Sequence, residues 1–328
     1  MLRLIADSGS TKTAWAMVEE LPAMPKVIHT AVTQGLNPLY VSADEIAAAL
    51  QQVLCEVNQG RPDVLEFYGS GCSGDRIAVV EQALRSRLTP MTQVVVASDL
   101  VGAARALSTH STSSTSSTHS TSSTSSTHST SSTHSTHSTS STHSTSSTSS
   151  THSTSSTSPT PFIACILGTG AIASLYDPQT HQLTPMSALG YILGDEGSGA
   201  WYGRHILSDY LKDQMPMAAR EAFEDDFGEI SAEQAIRHVY QMPCPNRYLA
   251  TFAAFLGRHI DLSYSQELAY RGIEAFWKRN VMRIDEDVRE VRLVGSVAWH
   301  LRPFIEKVAD YHGYVVTQVL KDPIEGLV

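Results

Sequence analysis

The sequence predicts an α/β protein built of two lobes, and three observations lead there. Short apolar runs alternate with stretches of helical period, the pattern of strands covered by helices. A strand, a polar Gly-bearing turn and a second strand open the chain in "LIADSGSTKTAWAMV" (Leu4 to Val18). The same arrangement returns in the second half in "PFIACILGTGAIASLYD" (Pro161 to Asp177).

The elements follow in order. Leu2 to Ala6 and Ala14 to Val18 read as strands, the second stopped by the Pro22 and Pro25 region. "SADEIAAALQQVLCEV" (Ser42 to Val57) has helical period and a Ser start signal. "DVLEFYGSG" reads as strand and turn, "DRIAVVEQALRSRL" as helix, and "TQVVVASD" (Thr92 to Asp99) as a buried strand ending on an acid. "LVGAARAL" is a short helix. "GDEGSGAWYGRHILSDYLKDQ" is a Gly-rich turn leading into a helix, and helix dominates from there to about Asn280. "VREVRLVGSVAWHLRPFIEKVADYHG" reads as strand, Gly-Ser turn and helix.

From Ser108 to Ser158 the chain is seventeen Ser-Thr-X triplets in which X is Ser or His. This stretch has no apolar residue to bury and is expected to be disordered. It inserts between a helix ending near Leu107 and a strand starting near Phe162. Lengthening a loop from about 6 to about 54 residues costs only about 2 kcal/mol of closure entropy, so the fold tolerates it. Its seven His fall at irregular multiples of three, which preorganises no metal site. The expected organisation is a lobe over 1–107, the insertion over 108–160 and a lobe over 161–328.

Of 328 residues, 277 lie outside the repeat, enough for two modest α/β lobes. They carry the whole net charge of −10, which argues against a nucleic-acid surface. No apolar stretch reaches the roughly 20 residues of a membrane span. The N-terminus shows no signal-peptide pattern, so a cytoplasmic protein is expected. Cys55, Cys72, Cys165 and Cys244 are scattered, with no CxxC spacing, and read as reduced structural thiols.

Three readings compete for the polar Gly turns. A P-loop needs GxxxxGK[ST] and a helix directly after it. "DSGSTKT" has Lys12 without the preceding glycine, and a strand follows. Gly69, Gly71 and Gly74 have the GxGxxG spacing of a dinucleotide fingerprint, with Asp99 ending the next strand. That reading leaves two other turns unexplained. The third reading gathers several turns around one nucleotide: "DSGSTKT" and "LGTGAIA" as phosphate loops of closely approaching backbone N–H groups, and "LVGSVAWHL", where Gly295 and Ser296 offer bare backbone to a flat adenine.

The sequence resembles the N-acetylglucosamine kinase branch of the BadF/BadG/BcrA/BcrD-type ATPases, within the sugar kinase, actin and heat-shock ATPase superfamily. The matching words are "IADSGSTKTAW", "GLNPLY", "FYGSGC", "SDLVGAARAL", "ILGTG", "LGYILGDEGSGAW", "PCPNRYLA" and "LVGSVAWHLRP". They run in family order over nearly the whole chain outside the repeat. The resemblance implies two ribonuclease H-like (actin-like ATPase) lobes with an interlobe cleft. It also implies an ATP- and Mg²⁺-dependent kinase for an amino sugar, N-acetylglucosamine at its 6-hydroxyl, and it admits a homodimer.

By the same resemblance Asp7 holds Mg²⁺ through water, since Mg²⁺ keeps part of its hydration shell. Gly9, Ser10, Thr11, Lys12 and Thr13 cradle the β- and γ-phosphates, with Gly168, Thr169 and Gly170 as the second loop. Gly295 and Ser296 contact adenosine. Asp99 is the general base toward the sugar hydroxyl, and also an N-cap for the helix it precedes. Asn37 and Asp195 match sugar-contacting positions, and Glu196 is a weaker match whose alternative is helix capping. Asn246 and Arg247 match a family word without a mechanism, and a turn anchor is the plainer reading.

One departure stands out: the GTGSN form common in the family is GTG-Ala171-Ile172 here. Relatives with a bridging iron–sulfur cluster need interface cysteines, and none of the four here sits in such a motif. A nucleotide- or sugar-sensing regulator or plain ATPase on this fold, and more remotely an NAD-binding dehydrogenase, are the alternatives.

Overall fold

The computed structural model describes residues 1–22, 24–57, 60–109 and 159–328, so the character of the repeat lies outside the described residues. Strand β1 (Leu2–Ser8) places Leu4, Ile5 and Ala6 wholly out of solvent. It turns through Gly9–Thr11 into β2 (Lys12–Glu19), antiparallel, with Ser8 opposite Thr13 and Asp7 opposite Ala14. β3 (Lys26–Gln34) continues the meander. Helix α1 (Ala43–Glu56) begins at a capping box: the Ser42 hydroxyl accepts from the Glu45 amide, and the Glu45 carboxylate accepts from the Ser42 amide. β4 (Val64–Gly69), α2 (Arg76–Arg85), β5 (Gln93–Ser98) and α3 (Asp99–Thr109) complete the first half.

After the repeat come β6 (Phe162–Leu167), β7 (Ala171–Asp177) and β8 (Gln182–Pro185). A helical stretch follows: α4 (Gly190–Leu193), α5 (Gly199–Leu211), α6 (Met217–Phe227), α7 (Ala232–Tyr240), α8 (Pro245–Phe252), α9 (Ala254–Arg258) and α10 (Ser263–Arg279). Then β9 (Glu290–Val294), α11 (Ser296–His300), α12 (Arg302–Tyr311), β10 (Val315–Leu320) and α13 (Ile324–Leu327) close the chain.

The two five-stranded sheets have one topology. Their orders are β3-β2-β1-β4-β5 and β8-β7-β6-β9-β10. In each, the first three strands in sequence form an antiparallel meander and the last two add in parallel to the first. This is the repeated unit seen in the sequence. Three strands went unread there. β3 is an edge strand, half exposed along its length and following Pro25. β8 has four residues, and β10 is an edge strand of mixed polarity.

The first sheet packs Leu4, Trp15, Leu65 and Phe67 against Ile46, Leu50, Val53 and Leu84 of α1 and α2. The second packs Ile163, Leu167 and Leu293 against α5, α10 and α12. Helix α3 lies between them. Ala103, Ala104 and Leu107 meet Phe162, Ala164 and Val294 of the second sheet. Ala106 joins Ile5, Val18 and Tyr68 of the first, where Leu327 of α13 also packs. The residues on either side of the repeat thus form one compact unit.

Candidate active site

The phosphate and adenosine loops singled out by the sequence, and Asp99, lie at the carboxyl ends of strands in the parallel part of each sheet, where α/β sheets build ligand sites, whereas Asn37 follows the antiparallel β3 and Asp195 follows α4. Gly9–Thr11 follows β1, Ser70 follows β4, Asp99 follows β5, Gly168–Gly170 follows β6, Gly295 follows β9, and Asp322 follows β10. The loops meet across the sheets. The Thr11 and Thr169 hydroxyls are 3.2 Å apart, and Lys12 Nζ lies 2.6 Å from Asp322 Oδ1.

The first loop is tied from below. Gly9 donates to the Lys12 carbonyl and Gly35 to the Thr11 carbonyl. The Ser8 and Thr13 hydroxyls, both fully buried, are 2.8 Å apart. Ser8 Oγ accepts from the Leu36 amide, while Thr13 donates to the Gln34 carbonyl. Thr13 therefore braces the hairpin and is not brought to the cleft. Gly9, Ser10 and Thr11 remain at its surface. Lys12 reaches Asp322, across to the second sheet.

Asp7 sits on β1 just below this loop. Burial pushes its carboxyl up to about 7; the charges of Asp99 and Asp322 push the same way, and Lys12 offsets them. Burial also raises the Asp99 carboxyl, while the Leu100 amide, at 2.9 Å from Oδ1, and the Ser70 hydroxyl hold it down. Asp99 is thus both the first residue of α3 and a member of an acidic group with Asp7 and Asp322. Asp322 and Ser70 escaped the sequence reading. The signal for Asp322 was the one used for Asp99, an acid just past a strand, but β10 had not been read.

The second loop lies against the start of α5. Gly199 donates to the Gly168 carbonyl and Ala200 to the Thr169 carbonyl. The cap of α5 is Ser198, whose hydroxyl accepts from the Trp201 amide, so Glu196 is not the cap. Glu196 is buried, and Arg279 and Asn280 take its two oxygens at 2.7 and 3.3 Å. It clamps the turn to the end of α10. Asp195 takes a left-handed conformation (φ 53°), and its Oδ1 accepts from the Ala171 amide at 3.3 Å. Burial raises its carboxyl. Ile172, at the second departure from the family pattern, pairs with Ile166 in the sheet.

Asn37 is buried and accepts from the Leu39 amide through Oδ1. It fills the space beside Gly71, where a Cβ would collide with Asn37 Oδ1. Gly69 is likewise closely packed, against Cys72 and Phe67, and Gly74 takes a left-handed conformation (φ 55°), so local packing and backbone geometry account for the GxGxxG spacing without a dinucleotide cradle. Gly295 (φ 124°) abuts the Leu167 carbonyl and donates to Leu320, locking the turn after β9 to β6 and β10.

A cavity of about 490 Å³ opens beside these turns. Its walls include Thr11, Gly168, Thr169, Arg247, Ser296 and His300. Its place between the two loops and the Gly295 turn suits a nucleotide, and Arg247, read as a turn anchor, faces it. Gly295 supports the wall and Ser296 forms part of it. A second cavity, about 320 Å³, is bordered by Ala171, Asp195 and Glu196.

The residues fit a Mg²⁺–nucleotide. Asp7 is buried and feels the charges of Asp99 and Asp322, offset only by Lys12, and a divalent cation would supply further countercharge there. Among the described residues no three His, Cys, Asp or Glu side chains cluster tightly enough to hold a metal alone.

Two sheets of one topology, joined through α3 and with loops meeting beyond the carboxyl ends of their strands, define an α/β protein of the actin-like ATPase class. A solved structure from Porphyromonas gingivalis, provisionally assigned as an N-acetylglucosamine kinase, is 33% identical, covering 99% of this chain and 96% of its own, with a TM-score of 0.77. A second, from Chromobacterium violaceum and of like assignment, is 15% identical over 99% and 96% of the two chains, with a TM-score of 0.60, and shares the fold. No protein-family model matches the chain, and no curated protein does. The chain belongs to the N-acetylglucosamine kinase-like family of sugar kinases. Among the described residues no helix is long and apolar enough to cross a membrane.

Proposed function

We propose that this chain transfers the γ-phosphoryl group of Mg²⁺–ATP to an amino sugar, with N-acetylglucosamine and its 6-hydroxyl as the first choice. The observation that carries the reading is the acidic group at the strand ends, Asp99 and Asp7, set beside two Gly turns and a nucleotide-sized cavity. Bound Mg²⁺–ATP supplies the phosphoryl group and the divalent charge.

Asp99 accepts the proton of the sugar hydroxyl as that oxygen attacks phosphorus. Its Oδ1 is steadied by the Leu100 amide, so the carboxylate is oriented before substrate arrives. Asp7 would hold the Mg²⁺ ion. The Gly9 and Gly168 amides close their own turns, which leaves those of Ser10, Thr11, Thr169 and Gly170 to hold phosphate oxygens, and Ser296 lies against adenosine. Asn37 and Asp195 hold sugar hydroxyls. Such catalysis rests on positioning and charge neutralisation.

ADP release is followed with Mg²⁺–ATP and a panel of N-acetylated and free hexosamines. Release that depends on one sugar, and that Asp99→Asn lowers by about 10²-fold or more, supports the reading. Release that ignores every sugar favours an ATPase. Binding without release favours a sensor.

A further inference from the structure

Arg247 stands out among the arginines of the site. Its Nε and Nη2 are shut off from solvent and have no hydrogen-bond partner. Arg258, on the wall of the same cavity, is paired with Asp226 at 3.1 Å, and Arg279, beside the second cavity, with Glu196 at 2.7 Å. A guanidinium keeps its charge in any protein and is built to bind planar or tetrahedral anions. Leaving its donors without acceptors is costly, and the protein itself supplies none to these two nitrogens.

The position of Arg247 says which anion. It is in the first turn of α8, entered through Cys244 in a left-handed conformation (φ 56°) and Pro245. On one side it lines the nucleotide cavity with Thr11 and Thr169, the tips of both phosphate loops. On the other its guanidinium carbon is 6.0 Å from the centre of the Tyr40 ring. Tyr40 follows Asn37 in the loop assigned to the sugar, and its phenol feels Asp195 as well as Arg247. Arg247 therefore stands at the border of the nucleotide and sugar regions, where the phosphoryl group crosses.

We infer that the Arg247 guanidinium binds the γ-phosphate of the nucleotide and stays on the phosphoryl group as it moves to the sugar oxygen. This rests on the kinase reading above. In the step, the sugar O–H bond breaks and its proton passes to Asp99. The O–P bond to sugar forms, and the bond to the bridging oxygen breaks, with its electron pair leaving on ADP. Arg247 contributes only charge and hydrogen bonds. It is a catalytic residue in that it touches the transferred group.

Arg247→Met keeps the apolar stem and removes the charge, and Arg247→Lys keeps the charge without the fork. Calorimetry with a non-hydrolysable ATP analogue and with ADP, without sugar, is set beside steady-state turnover. Arg247→Met is expected to bind the analogue at least tenfold more weakly and ADP within threefold of the parent. Its kcat falls at least 100-fold while KM for the sugar stays within threefold, and Arg247→Lys lies between. Equal loss for both nucleotides, no loss for either, or kcat within threefold of the parent overturns the inference. A parent protein that binds the analogue and phosphorylates no sugar sinks the kinase reading, while the analogue-to-ADP ratio still decides the arginine contact. A parent that binds neither nucleotide overturns both.

Discussion

Asp7 is a residue whose surroundings oppose its own charge. Its folded-state carboxyl lies at about 7 against an ordinary value of 3.8. Between those values the folded protein holds a proton that the unfolded chain has released. Stability from this group is thus complete below 3.8 and is lost as pH rises to about 7. Asp7→Asn should raise the Tm of the ligand-free protein at pH 8 by about 2 °C or more, with a gain that shrinks on acidification. A lower Tm at pH 8 would contradict this. The same variant should lose turnover, a trade of stability for function. Asp99 must be ionised to act, and burial raises its carboxyl. The acid limb of kcat/KM should therefore lie above the usual carboxylate range; a profile flat down to pH 4 would speak against Asp99 as the base. The placing of both at strand ends was legible in the sequence, because an acid at the end of an apolar run stands out. Asp322 was not, since nothing marked β10 as a strand. Thr13 shows the opposite failure. It adjoins the loop in sequence, but the pairing of β1 with β2 turns its hydroxyl toward Ser8 and Gln34. Facing is decided by sheet register, which spacing alone does not carry.

At the scale of elements, α3 does the joining. Its N-terminal residue is Asp99. Ala103, Ala104 and Leu107 face the second sheet, Ala106 the first. The small side chains let both sheets approach, and Gly102 lies against the Tyr68 ring. Arg292 also donates to the Leu107 carbonyl at 2.7 Å. Truncating fully buried Leu107 to Ala should cost about 2–5 kcal/mol, read as a lower denaturation midpoint. Because the same helix presents Asp99, turnover of the folded variant should fall as well. Full stability in Leu107→Ala would show that α3 is not wedged as described. The sequence marked α3 as a helix but ended it near Leu107; it runs to Thr109, and Ser108 donates back to the Ala104 carbonyl. The first two letters of the repeat thus belong to the helix. Helix periodicity made α1, α2 and α5 readable, with the Ser cap expected at Ser42 in place, while α5 is capped by Ser198 rather than by Glu196. Edge strands β3, β8 and β10 lack a buried apolar run, so their pairing is a tertiary effect that no local pattern announces.

The whole molecule is a doubled unit, with chemistry drawn from the strand ends of both halves. The repetition was readable from two strand–turn–strand words. The return of α13 onto the first sheet through Leu327 was not, since only packing brings residues so distant together. The repeat leaves from α3 and rejoins before β6, and both of these elements are held by contacts within the described residues. Replacing residues 110–158 with a short Gly-Ser linker should leave turnover within about twofold, in keeping with the slow growth of closure entropy with loop length. A folded but inactive deletion would give the repeat a function. The central claim is transfer of phosphate to a sugar rather than to water. It is tested most directly by identifying the phosphorus-containing product by ³¹P NMR after incubation with Mg²⁺–ATP and N-acetylglucosamine. The account predicts a sugar phosphomonoester formed one for one with ADP, and absent with Asp99→Asn. Inorganic phosphate appearing one for one with ADP, with no sugar ester across the hexosamine panel, would contradict it.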